Sequence, residues 1–207
     1  MPVDLLTLLA FLPAALALNL TPGADMMFVL AQGLKGGARA GMAANLGIAL
    51  GCFVHVVIAG LGLAALLQTH PAAFEVIRWG GVFYLLWLAV KSWRAGPPQP
   101  DKVASAPALK IFRDALMVNL LNPKVALFIL AFVPQFVTPS RAVLPQFLIL
   151  GLVICAGGLV INGLVALFAG RIGRRLAQSP AFARVMNRIS AVVFAGLALR
   201  LAVMERA

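Results

Sequence analysis

Residues 19–25, Asn19-Leu20-Thr21-Pro22-Gly23-Ala24-Asp25, interrupt an apolar segment that runs from Leu5 to Leu34. Pro22 has no backbone N–H and clashes with the preceding turn, while Gly23 tolerates backbone dihedrals that other residues avoid. We therefore expect a continuous helix to break here. Inside a bilayer such a break persists only where protein or a water-filled cavity satisfies the freed backbone groups. Asp25 follows directly, and an ionisable residue at such a place is a functional-site hypothesis by default.

A second interruption, Asn119-Leu120-Leu121-Asn122-Pro123-Lys124, occurs in the second half of the chain. A shift of 101 positions places Leu20-Thr21-Pro22 over Leu121-Asn122-Pro123. The identities are few, and it is the layout of the two segments that repeats. The sequence thus predicts two helices broken at related places, one at Pro22 and one at Pro123.

The composition is that of an all-α integral membrane protein. Of the 207 residues, 62% are hydrophobic and 11% are charged, whereas soluble domains have about 45–50% apolar and about 25% charged residues. The apolar runs are continuous and do not alternate, which excludes an outer-membrane β-barrel. A spanning helix needs about 20 apolar residues, so the chain accommodates six transmembrane helices in one domain, residues 1–207.

The predicted spans form two groups of three. A linker rich in proline and alanine, at about 94–110, divides a first repeat, about 1–93, from a second, about 111–207. In span 2, Gly47 and Gly51 give a small-residue face of the kind that lets helices approach closely in lipid. The expected spans are 5–34, 42–67, 74–93, 114–137, 142–169 and 189–204, with loops at 35–41 and 68–71 and a basic loop from Arg171 to Arg188.

Basic residues set the expected orientation. The net charge is +11, and twelve Lys and Arg residues fall in the loops after spans 1, 3 and 5, against four on the opposite side. Because positively charged loops stay cytoplasmic, we expect both termini outside a cytoplasmic (inner) membrane. Phosphates of the lipid bilayer explain the positive charge better than a nucleic-acid partner does. The chain start has no basic n-region, so we expect the first span to be retained.

Three spans in each repeat is an odd number, so the two repeats must be inverted relative to each other. Inverted repeats with discontinuous helices at matching places are typical of secondary transporters, which bind substrate near the midplane between the halves. The sequence has no nucleotide-binding loop, which argues against direct ATP coupling. It predicts no enzyme, no cofactor and no metal site, and it leaves a homo-oligomeric assembly open.

At these residues the chain resembles the LysE/RhtB family of amino-acid exporters, over nearly its whole length. The most specific parts are residues 19–25, the glycine spacing from Gly33 to Gly51, and Asn122-Pro123-Lys124 leading to Pro134-Gln135-Phe136. Family members usually have Pro-Gly-Pro in the first motif, and Ala24 replaces the second proline here. The resemblance implies six spans and outward transport of neutral amino acids or close derivatives, such as homoserine, threonine and their lactones. It also implies coupling to protons.

Asp25 and Lys124 are the charged residues expected beside the breaks. A carboxylate in hydrocarbon costs about 2.5–3.5 kcal/mol on insertion scales, so we expect Asp25 to couple protons or to pair with a substrate ammonium group. The structural alternative is a favourable interaction with the N-terminal dipole of the following half-helix, of about 0.3–1 kcal/mol. Lys124 could bind a substrate carboxylate, pair with Asp25, or extend to the membrane interface.

The other candidates are polar and helix-breaking residues of the two motifs. Asparagine caps helices and bonds freed backbone groups, so Asn19, Asn119 and Asn122 have a structural interpretation beside substrate contact. Asn45 and Asn162 are expected to form interhelical hydrogen bonds. The predicted substrate-binding or proton-coupling residues are Asp25, Asn19, Thr21, Pro22, Gly23, Asn119, Asn122, Pro123 and Lys124.

Two cysteines inside the spans offer a different function. Cys52 and Cys155 occupy corresponding spans of the two repeats, as in a membrane thiol–disulfide electron carrier resembling the CcdA/DsbD type. A reactive thiol needs an electropositive, accessible setting, and both cysteines have small or apolar sequence neighbours, away from the proline breaks. They are therefore interpreted as packing residues. His55 has no visible partner and is interpreted in the same way, although histidine suits proton transfer at neutral pH.

The leading hypothesis is export by alternating access. Half-helix N-termini would face the substrate carboxylate, and carbonyl ends together with Asp25 would face its ammonium group. Rocking of one repeat against the other would open this site to each side of the membrane in turn.

Overall fold

The computed structural model describes residues 2–69, 73–96, 106–138, 140–169 and 179–203. Helices account for nearly all of these residues, and no strand occurs within these ranges, so the all-helical prediction is confirmed. A 3₁₀ turn, Val133–Phe136, continues the fifth helix. The helices are α1 (Leu5–Leu20), α2 (Ala24–Thr69), α3 (Ala73–Arg94), α4 (Ala108–Leu120), α5 (Pro123–Phe132), α6 (Val143–Phe168) and α7 (Pro180–Val203).

α1 ends at the first interruption because of Pro22. A residue before proline is pushed out of the helical region, and Thr21 accordingly has φ −68° and ψ 116°. The Thr21 N–H still donates to the Ala17 carbonyl oxygen at 3.0 Å, which closes the last turn. α2 begins directly after Gly23, whose carbonyl oxygen accepts from the Met27 N–H at 3.0 Å. The predicted break is confirmed, even though alanine replaces a second proline.

α2 turns back on itself at Gly37, which has φ 73° and ψ −174°. Glycine alone adopts this region at little cost, so a single residue makes the turn. In a straight helix residues 33 and 41 would lie about 12 Å apart along the axis, whereas a Cβ added at Gly41 would lie 3.2 Å from Gly33 Cα. The predicted loop at 35–41 is therefore wrong, because both sides of Gly37 are helical. We call 24–36 the first segment of α2 and 38–69 the second segment.

The second interruption separates α4 from α5 by two residues, Leu121 and Asn122. Asn122 is extended, with φ −81° and ψ 104°, because it precedes Pro123. Its side-chain oxygen accepts from the Lys124 backbone N–H at 3.0 Å and caps α5. Pro123 occupies the first helical position, where no N–H is needed. The chain bends by 51° at this point, which confirms the predicted break.

Two other predicted boundaries are wrong. α4 begins at Ala108 and not at residue 114, and α7 begins at Pro180, so that Arg184 and Arg188 are helical where a basic loop is predicted. Proline stands at the start of both helices, at Pro107 and Pro180, where its fixed φ favours the first turn. The predicted limits of spans 3 and 5 agree with those of α3 and α6 to within one residue. The turn at 70–71, most of the linker, and Arg171, Arg174 and Arg175 lie outside the described residues.

α2 packs extensively against both α4 and α6. Glycines make these contacts close: a Cβ at Gly47 would overlap the Phe112 carbonyl oxygen of α4, and one at Gly151 of α6 would overlap Val56. The small-residue face predicted for span 2 is thus confirmed. α3 packs on α7, and the largest buried side chains are phenylalanines: Phe11, Phe128, Phe132, Phe147 and Phe194.

The described helices expose many large apolar side chains, among them leucines of α1, tryptophans of α3 and valines of α7. The stretch Ala24–Ala64, which turns back at Gly37, and α6 each contain a run long and apolar enough to cross a membrane, and the bent pair α4–α5 is a third crossing if it counts as one span. α1 and the stretch Asn187–Leu199 are shorter apolar helices. These lengths and surfaces fit a helical membrane protein.

Candidate functional site

The two interruptions meet inside the protein. Lys124, the second residue of α5, donates from Nζ to the carbonyl oxygens of Leu18 at 3.2 Å and Thr21 at 2.9 Å. These carbonyls belong to the C-terminal end of α1, where the last carbonyls lack helical partners and the helix dipole favours a cation. A lysine beside the second break therefore satisfies backbone groups freed at the first.

A buried side-chain pair joins the interruptions a second time. Asn119 Nδ2 donates to Asp25 Oδ2 at 2.9 Å. Asp25 is 9% exposed and lies in the first turn of α2, and Asn119 is 1% exposed and lies in the last turn of α4. No ion pair within 4.0 Å joins Asp25 to Lys124, both of which are described residues. The carboxylate is thus held by an amide, and the ammonium group by carbonyls.

A small cavity of about 30 Å³ lies between these elements. One water molecule needs about 10–15 Å³, so the cavity has room for one or two waters and is too small for a free amino acid. Its polar lining comes from four helices and consists of Asn19, Asp25, Cys52, Asn119, Cys155 and Asn162.

Three buried oxygen atoms at the cavity have no hydrogen-bond partner among the described residues: Asp25 Oδ1, Asn119 Oδ1 and Asn162 Oδ1. Buried polar atoms are nearly always bonded, and one left alone costs about 1–3 kcal/mol. Amide oxygens accept and do not donate, and an ionised carboxylate does the same. The cavity is therefore suited to a ligand that brings hydrogen-bond donors.

Glycines let two asparagines approach the neighbouring helices. A Cβ at Gly157 of α6 would lie 2.7 Å from Asn19 Nδ2, and one at Gly51 of α2 would lie 2.7 Å from Asn119 Oδ1. Asn19 Nδ2 donates to the Ile154 carbonyl oxygen of α6 at 3.0 Å. In each sequence half, the asparagine shortly before the break packs on a glycine from the other half.

The remaining predicted residues shape the breaks and do not line the cavity. The Thr21 hydroxyl donates to the Ala17 carbonyl oxygen at 2.5 Å, which holds the end of α1. The Pro123 carbonyl oxygen accepts from the Tyr84 hydroxyl at 3.0 Å, which ties the start of α5 to α3. The residues of this group are Thr21, Pro22, Gly23, Asn122, Pro123 and Lys124.

The cysteines lie at the cavity. Cys52 Sγ and Cys155 Sγ are 3.2 Å apart, both thiols are free, and both residues line the cavity together with Asp25. The prediction that they lie away from the proline breaks is wrong. The prediction relied on the apolar sequence neighbours of the cysteines. Adjacent residues do not share a helix face, so these neighbours do not describe the surroundings of the thiols.

His55 and Asn162 also reach this site, although both lie outside the two motifs. His55 Nε2 is 3.1 Å from the Asn119 carbonyl oxygen, so this histidine has a partner at the end of α4. Asn45 Nδ2 donates to the Leu159 carbonyl oxygen at 2.9 Å, as predicted, whereas the Asn162 oxygen makes no such bond with any described residue. One signal could have found Asn162: it follows Cys155 by seven residues, two turns along the same face.

A larger recess of about 270 Å³ lies at the Gly37 turn. Lys35, Arg39 and the buried Gln32 are among its lining residues. Its size approaches the ~300 Å³ at which ligand pockets begin. Gln32 follows Asp25 by seven residues, so the two share a face of α2 and lie about 10 Å apart along its axis. The recess and the cavity therefore lie along one side of the same helix segment.

A family model described as LysE type translocator matches residues 16–205 of this chain. A Vibrio cholerae protein, named an uncharacterized membrane protein, is 34% identical over 97% of this chain and 98% of its own length. A Klebsiella pneumoniae leucine efflux protein is 33% identical over 97% of this chain and 96% of its own length. A Salmonella typhimurium homoserine/homoserine lactone efflux protein is 32% identical over 89% of this chain and 90% of its own length. No solved structure shows significant similarity to this chain.

Proposed function

We propose that this chain, which belongs to the LysE type translocator family, exports neutral amino acids or their close derivatives across the cytoplasmic membrane. Two of the relatives reported above are named efflux proteins, for homoserine and homoserine lactone and for leucine, all of which are amino acids or amino-acid derivatives. The chain is accordingly a membrane transporter of the amino-acid efflux type and not an enzyme.

The Asp25–Asn119 hydrogen bond between two interrupted helices is the observation that carries the proposal. It brings a carboxylate from one break and an amide from the other to a single polar cavity inside an apolar protein. Secondary transporters bind substrate in this way, between discontinuous helices near the midplane. The absence of a partner for Asp25 Oδ1 among the described residues supports a ligand site here and not a purely structural pair.

We propose six spans arranged as two inverted repeats. α1 with the first segment of α2 makes one broken span and α4 with α5 the other, while the second segment of α2, α3, α6 and α7 are the remaining four. The reciprocal packing of Asn19 on α6 and Asn119 on α2 supports this arrangement. We also propose that both termini lie outside the cytoplasmic membrane, and the excess of basic residues after spans 1, 3 and 5 supports this orientation.

Proton coupling at Asp25 completes the mechanism that we propose. Because Asn119 holds Oδ2, the atom left for a proton or for a substrate is Oδ1, which cannot serve both at once. Proton entry then displaces substrate outward, as the cavity opens to each side in turn. The other titratable side chains nearby are Cys52 and Cys155 at the cavity, His55 at the end of α4 and Lys124 at the end of α1.

The recess at the Gly37 turn is the entry route that we propose from the cytoplasm. It lies at the Gly37 turn, where Lys35 and Arg39 are among its lining residues, on the side of α2 that leads to Asp25. Basic side chains at such a mouth attract the substrate carboxylate and raise its local concentration.

Efflux from vesicles tests the proposed function. Vesicles that contain the purified protein are loaded with radiolabelled leucine, homoserine, threonine or other amino acids, and a proton gradient is imposed from outside. We expect faster release than from protein-free vesicles for at least one neutral amino acid, and slower release when a protonophore removes the gradient. Release equal to that of protein-free vesicles for the whole panel contradicts the proposal.

The second candidate function is a thiol–disulfide electron carrier, which the 3.2 Å separation of Cys52 Sγ and Cys155 Sγ favours. A carrier of this kind needs both thiols in every turnover, whereas an exporter needs neither. Replacement of both cysteines therefore separates the two functions.

A further inference from the structure

We propose that the cavity binds the α-ammonium group of the substrate and that Asn162 is one of its three ligands. This assignment rests on the export function proposed above and gives the site a chemical group. Asn162 lies outside both break motifs, and its expected role in the sequence is an interhelical hydrogen bond.

Three different elements supply the acceptor oxygens. Asp25 comes from the first segment of α2, Asn119 from α4 and Asn162 from α6, and they are 9%, 1% and 7% exposed. Each has an Oδ1 atom without a hydrogen-bond partner in the part of the chain that the structure describes. A primary ammonium group has three N–H donors and no acceptor. The three donors match the three oxygens, and the single carboxylate matches the positive charge.

The direction of the Asn119 amide is fixed by its partner. Its Nδ2 donates to Asp25 Oδ2, so Oδ1 must be the atom turned the other way. Gly51 leaves the space that this oxygen fills, because a Cβ there would lie 2.7 Å from it. Asn19 Nδ2 is likewise bonded, to the Ile154 carbonyl oxygen. An anionic group in the cavity would meet these unbonded oxygens, which disfavours the substrate carboxylate at this place.

Lys124 does not supply the cation itself. Its ammonium group is bonded to the carbonyl oxygens of Leu18 and Thr21, and no ion pair within 4.0 Å joins it to Asp25, a residue that the structure also describes. Lys124 is also absent from the lining of the cavity. Lys124 therefore acts on Asp25 only through its charge at a distance, and Asp25 Oδ1 stays open to a cation that arrives from outside the protein.

The size of the cavity agrees with this group and not with a whole amino acid. An ammonium group is close to a water molecule in size, and about 30 Å³ holds one or two waters. The rest of the substrate then needs an opening between the helices that line the cavity. The proposed substrates share the α-ammonium group, whereas a lactone has no free carboxylate, so the ammonium group is what one site can recognise in all of them.

Binding to the purified full-length protein in lipid nanodiscs tests the assignment. The probe is radiolabelled leucine or homoserine, whichever the wild-type protein releases from vesicles. Two unlabelled competitors are compared: the methyl ester or lactone, which keeps the ammonium group, and the N-acetyl derivative, which keeps the carboxylate. We expect the first to displace the probe within about threefold of the amino acid itself, and the second to be weaker by about 100-fold, since bonds to charged groups are worth about 1.5–3 kcal/mol each.

Variants of Asn162 test its place in the site. Asn162→Ala removes one acceptor and should raise the Kd by about 10–100-fold, while Asn162→Asp keeps an acceptor and should retain binding. Asn45→Ala is the matched control, because Asn45 likewise has a buried amide oxygen without a partner among the described residues, but it does not line the cavity. Its Kd should remain at the wild-type value.

The outcomes separate this inference from the function on which it rests. If the N-acetyl derivative displaces the probe as well as the ester or lactone does, the ammonium assignment is overturned. An unchanged Kd for Asn162→Ala shows that Asn162 is not a ligand of the ammonium group. In both cases the transport function of the wild-type protein is unaffected. A wild-type protein that releases no amino acid of the panel overturns the function itself. The competitor measurement needs no variant, so it decides the assignment even if Asn162→Ala does not insert into the membrane.

Discussion

Asp25 has one oxygen held by Asn119 and one oxygen without a partner among the described residues. If the only role of Asp25 were its interaction with the N-terminal dipole of α2, it would stabilise the protein by about 0.3–1 kcal/mol. A carboxylate in hydrocarbon costs more than this, about 2.5–3.5 kcal/mol on insertion scales. The half-satisfied carboxylate is therefore better explained by a ligand or proton that completes it.

Asp25→Asn tests this explanation. The variant keeps the shape and an acceptor for Asn119 but loses the charge and the exchangeable proton, so proton-driven efflux should fall at least about tenfold while the protein still inserts. Initial efflux rates from vesicles, normalised to the amount of inserted protein, measure the change.

Asp4→Asn is the control for this variant. Asp4 is an exposed carboxylate paired with Arg141 at 3.0 Å, and exposed pairs contribute about 0–1 kcal/mol. Its efflux should equal the wild-type rate. Unchanged efflux in Asp25→Asn would remove this carboxylate from the mechanism.

Residues differ in how visible their roles are in the sequence. Asp25 is conspicuous because a lone carboxylate within a span is expensive, and Asn122 because it precedes a proline at a helix start. The role of Asn162 is not visible, because an asparagine inside a span usually forms an interhelical hydrogen bond, and only tertiary packing brings this residue to the cavity. The same holds for Cys52 and Cys155, whose 3.2 Å contact joins helices far apart in the chain.

At the scale of the elements, local rules account for the breaks and tertiary contacts account for the turn. Pro22 and Pro123 force the preceding residue out of the helical region, so both breaks follow from the sequence. The turn at Gly37 does not, because several neighbouring glycines are equally able to make it. Gly33 and Gly41 are fixed inside helices by their contact with Ala166 of α6, and Gly37 then makes the turn.

Gly37→Ala should destabilise the protein through its backbone alone. A Cβ at this position meets no atom within 4 Å, but its φ of 73° and ψ of −174° are strained for any other residue, at a cost of about 1–3 kcal/mol. The melting temperature of the purified protein in detergent should fall by several degrees. Gly62→Ala is the matched control in the same helix. A Cβ at Gly62 also meets no atom within 4 Å, but the backbone there is helical, so this variant should leave the melting temperature unchanged or raise it. Equal melting temperatures of Gly37→Ala and wild type would show that the turn carries no strain.

At the scale of the whole molecule, the cavity lies where the two sequence halves face each other. α2 of the first half and α6 of the second contribute Cys52 and Cys155, with their sulfur atoms in contact across it. Alternating access requires such facing helices to move relative to each other. A covalent bond between them should therefore stop transport.

Oxidation of the thiols tests this movement. Copper phenanthroline removes two hydrogens and joins the sulfur atoms of Cys52 and Cys155 in a disulfide, which should abolish efflux until dithiothreitol reduces it. The variant with both cysteines replaced by alanine should transport normally and resist the oxidant. Total loss of efflux in that variant, with normal insertion, favours the electron carrier, and equal inhibition of both proteins excludes the disulfide as the cause.

Lys124 reaches the end of α1 through a flexible four-carbon side chain and not through its backbone. A change of side-chain rotamer alters the reach of the ammonium group, so we expect these hydrogen bonds to survive small shifts between the two interrupted helices. We therefore expect Lys124 to keep the freed carbonyl oxygens of α1 bonded during the movements that transport requires.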